Sequence, residues 1–206
     1  MRAVRTLSEW ASKAALGDIP RPVERLTRSS AEALAFARRL GRPVVAKAGD
    51  VAHKSEFGAV RLGLDIDGLA AAWPELAALG DGTVLVAEEV KADLELMVGG
   101  LRDPQFGPVV SVGLGGVAAE VLKDVVFVLA PPEPGELDRA LGELRGAALL
   151  DGRRGRPALD RAALVRIVDA VSRLLLDDES VVEVDCNPVL VTAGKPVVAD
   201  ALVVKK

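Results

Sequence analysis

Hydrophobic and polar positions along this 206-residue chain switch repeatedly between two periods. Residues 159–177 carry the clearest helical stripe, with Leu164, Ile167, Val168, Val171, Leu174 and Leu175 recurring at a spacing near 3.6. A shorter helix is predicted over 7–17, ending at Gly17. Ser29-Ser-Ala-Glu32 reads as a capping box that opens a helix running to Leu40 and stopping at Gly41. Asp67 is a candidate cap for the next helix, and Pro74 within it predicts a break or kink near Trp73. A further helix is expected over 136–149.

Between these segments lie apolar, β-branched runs bounded by turn formers, which read as strands. They cover Val23–Thr27, 43–48, 58–65, 82–90, 93–99, 109–112 and 126–130. In strand 93–99, alternation puts Leu94, Leu96 and Val98 on one face and Glu95 and Met97 on the other. Arg102-Asp-Pro-Gln-Phe-Gly-Pro108 is a compact loop, and Asp151–Pro157 a basic, flexible one.

The tail reads as a hairpin. Period two places Glu183, Asp185 and Asn187 on one face of its first strand, with Val182, Val184 and Cys186 on the other. Pairing about the Ala193-Gly-Lys195 turn sets Asn187 opposite Asp200. Two side-chain oxygens facing across a strand pair suit Mg²⁺, which fills its octahedron with phosphate and water. A slip of one residue would undo the arrangement. Short strands with helices between them predict an α+β fold in two lobes, 1–90 and 91–206, with a junction near 88–93.

Composition narrows the function classes. Hydrophobic residues make up 50%, enough to bury a sizeable core, yet aromatics are only 3% and tyrosine is absent, so Ala, Val and Leu must build it. The net charge of −4 lacks the basic surplus of a nucleic-acid binder, and few aromatics are available for base stacking. A single cysteine, Cys186, permits no intrachain disulfide and suits a reducing cytoplasm. No signal-peptide core and no apolar run of membrane-spanning length are present, so no membrane partner is expected.

His53 is the only histidine and so the only side chain whose ordinary pKa lies near neutrality. It stands in a polar loop with Lys47, Asp50, Lys54, Ser55 and Glu56; a lone histidine is more often structural. Lys47 ends an apolar strand, where an ammonium is costly without an anion, unless it snorkels to water. Gly113-Leu-Gly-Gly116 brings N–H groups to phosphate or is simply a tight turn. It is neither a Walker A loop nor a dinucleotide fingerprint, because neither Gly-Lys-Ser/Thr nor a helix follows. Glu88-Glu89 and Glu95 suit a ribose and adenine or an ordinary acidic edge. Arg153, Arg154 and Arg156 suit an acidic partner or solvent.

Taken together, His53-Lys-Ser-Glu-Phe-Gly-Ala-Val60, Glu95-Leu-Met-Val-Gly99, Arg102–Pro108, Gly113–Gly116, Glu120-Val-Leu-Lys-Asp124 and Asp185-Cys-Asn-Pro188 occur in an order that resembles a known family. This is the ATP-grasp (β) subunit or domain of the NDP-forming acyl-CoA synthetases, the acetate–CoA ligase (ADP-forming) group related to succinyl-CoA synthetase. The resemblance covers nearly the whole chain, from Leu7 to Val204. It implies an ATP-grasp fold in which two α+β lobes hold ATP or ADP between them. By that likeness Lys47 contacts nucleotide phosphates, Glu88–Val90 meets adenine through its backbone, and Glu95 binds ribose. Asn187 and Asp200 hold Mg²⁺, and His53 carries a phosphoryl group. Lys47 and His53 are separated by two residues fewer than the family pattern has, and Ala87 stands where glutamine is common.

The implied activity is acyl-CoA + ADP + phosphate ⇌ carboxylate + CoA + ATP, completed with a separate CoA-binding α subunit, because the chain is too short for the CoA-binding lobes. The competing expectation is a regulatory ATP-grasp module of a protein acetyltransferase-type system.

Overall fold

The computed structural model describes residues 4–50, 58–116, 123–152 and 155–206. His53, Glu120, Arg153 and Arg154 lie outside the described residues. The chain divides into two compact units.

The N unit comprises Ser8–Trp10 and the described part of Arg21–Val90. Its sheet has the order β2 (Glu24–Thr27), β5 (Val84–Glu88), β3 (Val44–Ala48), β4 (Val60–Leu64), all antiparallel. Two helices, α2 (Ser30–Leu40) and α3 (Ile66–Leu79), cover one face through Ala33, Phe36, Leu69, Ala72 and Leu76, packed on Val44, Ala46, Val84 and Val86.

The ends of α2 follow the sequence reading. Ser29 Oγ accepts from Glu32 N–H, and Gly41, in the left-handed region at φ 64°, donates to Ala37. The Glu32 carboxylate reaches one residue further back than a capping box requires, accepting from Arg28 N–H at 2.9 Å. For α3 the cap is Asp65 rather than Asp67: Asp65 Oδ1 accepts from Gly68 N–H at 2.7 Å, and Asp67 falls in the first turn. Nor is α3 broken at Pro74. Leu69, Ala72 and Leu76 bury on both sides of the proline, and Trp73 Nε1 donates to Thr27 Oγ1 at 3.1 Å, so packing outweighs the one missing N–H.

The C unit holds the described residues of 4–7, Ala11–Pro20 and Lys91–Lys206. The sequence reading puts residues 1–20 with the smaller lobe; most of them pack here instead. Helix α1 (Glu9–Ala15) explains why: Ser12 Oγ accepts from Val203 N–H at 3.0 Å, Lys13 Nζ donates to Ala199 O at 2.9 Å, and Leu16 and Ile19 join this unit's core. Its sheet runs β1 (Arg5–Thr6), β11 (Leu202–Lys205), β9 (Val181–Thr192), β6 (Leu94–Asp103), β7 (Gly107–Leu114), β8 (Val125–Leu129), with β10 (Lys195–Val198) also on β9. Helix α4 (Glu136–Glu143) packs on β8, and α5 (Arg161–Asp177) lies across β6, β7 and β9.

Three boundaries differ from expectation. The 102–108 loop is mostly strand: β6 and β7 pair to Asp103–Gly107, and the Asp103 carboxylate caps the tip by accepting from Gln105 and Phe106 N–H. The 136–149 helix stops at Glu143, and a separate 3₁₀ turn covers Ala147–Leu149. The buried Asp124 carboxylate accepts from Arg145 and Gly146 N–H, each at 2.8 Å, and holds the chain out of helical register between the two. The hairpin's first strand runs on past Pro188 to Thr192.

The apolar stripe of α5 is the keystone of this core. Leu164, Ile167, Val168, Val171 and Leu175 are all fully buried. Replacing Leu164 with Ala should lower stability by about 2–5 kcal/mol, measured by chemical denaturation; a loss under about 1 kcal/mol would remove α5 from the core.

Candidate functional site

The C-terminal strands retain the register that the hairpin reading requires. Strand β10 pairs with β9 up to Val198↔Val189, and β11 resumes at Leu202↔Asp185 in the same register. Between them Ala199 N–H still donates to Pro188 O at 3.0 Å. Asn187 is therefore the register partner of Asp200, and both sit where the partner strand opens between Val198 and Leu202. The ladder of β9 with β6 shifts at the same place, between Leu96 and Val98, which gives β9 an extra residue opposite Met97. Asn187 is exposed and Asp200 half-buried. Cys186 faces the core with its surface fully buried, and burial pushes its thiol up to about 12, so it is no nucleophile.

Charge at this opening favours a cation. Burial, together with the charges of Glu183 and Asp200, pushes the neighbouring Asp185 carboxyl up to about 6. No group of three or more His, Cys, Asp or Glu suited to holding a metal occurs among the described residues. One carboxylate and one amide oxygen are the sparse, hard donor set Mg²⁺ takes when phosphates and waters supply the remainder.

Glu95 shares a face with this group. The pairing of Gly99 with Asp185 puts Asp185 on the same side of the sheet as Gly99, Met97 and Glu95, opposite the face that α5 covers. Glu95 is exposed there. The glycine-rich turn following β7 lies against it: Gly115 N–H donates to Glu95 O at 2.7 Å, so that N–H is not directed at a phosphate.

In the N unit, Lys47 is buried on the sheet face away from α2 and α3. Its cross-strand row reads Leu26, Leu85, Lys47, Val60, with an apolar neighbour on either side of the lysine. An anion is present: Lys47 Nζ lies 2.9 Å from Glu9 Oε1, with the two side chains 10% and 2% exposed. Glu9 was invisible to sequence reasoning, since 38 residues separate it from Lys47 and no local pattern joins them. Glu88 is also engaged. Its N–H donates to Val23 O at 2.9 Å, its carboxylate accepts from Val23 N–H at 3.0 Å, and Arg42 lies 3.0 Å from the other oxygen. Its side chain thus anchors the end of β5, just before Val90. Lys47, Glu88 and Val90 belong to the N unit, and Glu95, Asn187 and Asp200 to the C unit.

A family model described as an ATP-grasp domain matches residues 2–204. The chain belongs to the ATP-grasp family. Among curated relatives of this ATP-grasp chain, the trans-feruloyl-CoA synthase FCS1 of an unknown prokaryotic organism is 40% identical over 88% of the chain and 27% of its own length. The acetate–CoA ligase (ADP-forming) I subunit beta of Pyrococcus furiosus is 32% identical over 89% of the chain and 84% of its own length. Among solved structures, the dinucleotide-forming acetyl-coenzyme A synthetase 1 of Ca. Korarchaeum cryptofilum, in complex with coenzyme A, Ca-AMPCP and HgCl⁺, superposes with a TM-score of 0.88 at 32% identity, covering 98% of this chain and 94% of that one. The same enzyme with coenzyme A and Mg-AMPPCP, its phosphohistidine segment pointing towards the nucleotide-binding site, gives 0.80 at 32% identity, over 96% and 92% of the two chains. The ATP-grasp chain spans about a quarter of the length of the first curated relatives it matches, 27% for two and 26% for the third. The α+β ATP-grasp fold read from the sequence is the fold found. No helix among the described residues is long and apolar enough to cross a membrane.

Proposed function

We propose that this ATP-grasp chain is the nucleotide-binding part of an ADP-forming acyl-CoA synthetase, acting with a CoA-binding α subunit or domain. The observation that carries the reading is its likeness, at a TM-score of 0.88 and over 98% of its length, to an acetyl-CoA synthetase solved with coenzyme A and a nucleotide analogue. The roles of individual residues are part of the proposal. Lys47, held in an apolar row, meets nucleotide phosphates; the backbone of Glu88–Val90 meets adenine; and Glu95 accepts from the ribose hydroxyls. Asn187 and Asp200 would hold Mg²⁺, which supplies charge neutralisation on the phosphates.

His53 is proposed as the phosphoryl carrier. Its neutral imidazole nitrogen attacks the γ-phosphorus of ATP, an N–P bond forms, and the bond to the ADP oxygen breaks with its electrons going to ADP. The reverse step makes ATP from phosphohistidine and ADP. A CoA-binding partner then exchanges this phosphoryl group with the acid.

Reconstitution tests the assignment. The chain alone should bind Mg-ATP, whereas the chain with a CoA-binding α subunit should form ATP from acyl-CoA, ADP and phosphate. Mg-ATP binding with no ATP formed by the assembled complex would favour the regulatory module instead.

A further inference from the structure

The glycine-rich turn after β7 has no part in the roles above, yet it lies against one of the residues that does. Gly115 and Gly116 form a backbone shelf beneath Glu95. Besides the 2.7 Å hydrogen bond from Gly115 N–H to Glu95 O, a Cβ added at Gly115 would lie 3.0–3.1 Å from Glu95 and Leu96 atoms. At Gly116 an added Cβ would lie 3.0 Å from Glu95 Oε2 itself, and its backbone is in the left-handed region at φ +71°. A side chain at Gly115 would press on the main chain of Glu95 and Leu96, and one at Gly116 would push the Glu95 carboxylate from its place.

The consequence for Glu95 is mechanical. Its side chain stands on an exposed sheet face, where a glutamate ordinarily samples several rotamers at little cost. Glycine at both positions keeps one of those orientations open: the main chain of Glu95 is pinned by the Gly115 bond, and a Cβ at Gly116 would press on Oε2 and move the carboxylate. A carboxylate held in one orientation can accept from two vicinal hydroxyls at once, and the ordering cost is met before the ligand arrives.

We infer that Gly115 and Gly116 are positioning residues that fix the Glu95 carboxylate for the nucleotide's 2′,3′-diol, and so set the preference for a ribonucleotide. The inference rests on the proposed reading of Glu95 as the ribose carboxylate. It assigns Gly115 and Gly116, which follow β7, to sugar recognition through Glu95 rather than to phosphate binding.

The test compares Mg-ATP with Mg-2′,3′-dideoxy-ATP, which keeps base and phosphates but lacks the diol, by calorimetric titration of the full chain. Wild type should prefer ATP by about 10- to 100-fold, the scale of hydrogen bonds to a charged group. Glu95→Gln should erase most of that preference. Gly116→Ala and, independently, Gly115→Ala should do the same while leaving the dideoxy-ATP affinity within about threefold of wild type. Retention of the full preference in both glycine variants overturns the shelf's role. So does an equal loss of both ligands, which would make the glycines merely structural. If Glu95→Gln keeps the wild-type preference, it is the ribose reading of Glu95 that fails, whatever the glycine variants do.

Discussion

His53→Asn should abolish phosphoryl transfer while leaving Mg-ATP binding intact. Asparagine approximates the reach and polarity of imidazole but offers an amide in place of a nucleophilic ring nitrogen. In the reconstituted complex, ATP formation from acyl-CoA should fall by at least roughly 10⁴-fold, the scale of deleting a covalent nucleophile. Incubation of the wild-type chain with γ-labelled ATP should leave acid-labile label that the variant does not acquire. The two readouts separate distinct failures. Normal turnover in the variant would remove the phosphohistidine role altogether, whereas lost Mg-ATP binding would make His53 part of the nucleotide site. With two residues fewer between Lys47 and His53 than the family pattern has, the rate of label transfer also measures how far the short connection lets the histidine act.

Asp200→Asn should be the most damaging change among the described residues. It removes the only anionic donor of the proposed Asn187–Asp200 pair. The rate of transfer should drop by about 10²–10³-fold, the scale of losing one preorganised electrostatic contact to a reacting phosphate. Titrating ATP in EDTA gives the control: metal-free affinity should change by no more than about twofold, because only the metal-dependent part of binding passes through Asp200. Equal losses with and without Mg²⁺ would assign Asp200 to the fold or to direct phosphate contact. Asn187→Ala should show the same metal dependence with a smaller loss, since an amide oxygen contributes less charge.

Much of the architecture could be read from local chemistry. Ser29 and Gly41 bracket α2 as their side chain and φ preference dictate, and the stripe on α5 became the core. The hairpin register was readable because one turn fixes every later pair: once Ala193–Gly194 forms the tip, Asn187 must oppose Asp200. The misreadings share a cause. Asp67 and Asp65 are equally good caps in isolation, and which one wins depends on where the helix docks. The continuous helix over 136–149 is favoured locally, but Asp124, more than 20 residues earlier, captures two of its N–H groups. Pro74 costs one hydrogen bond, and tertiary burial of Leu69 and Leu76 outweighs it.

The candidate site divides along the same line. Alternation puts Glu95 on its sheet face and register sets Asn187 opposite Asp200, and both are local rules. The partner of Lys47 follows from no such rule, although the need for one does: an ammonium in an apolar row had to find an anion, and only the fold could identify it as Glu9. The closeness of Gly116 to the Glu95 carboxylate likewise joins β6 to the residues that follow β7, beyond the reach of a motif read along the chain.

The gap between β10 and β11 bears on how such a chain can change over time. Strand β9 is clamped in one register on either side of that gap, by Val198↔Val189 and by Leu202↔Asp185. Slippage, the usual hazard of altering a hairpin, is blocked from both directions. The register around position 200 is therefore fixed by the flanking pairs and not by its side chain, while Ala201 on one side is buried in the core and Ala199 O on the other accepts from Lys13. Variation at this opening is thus confined to side-chain chemistry at one position, with the backbone geometry on either side held constant.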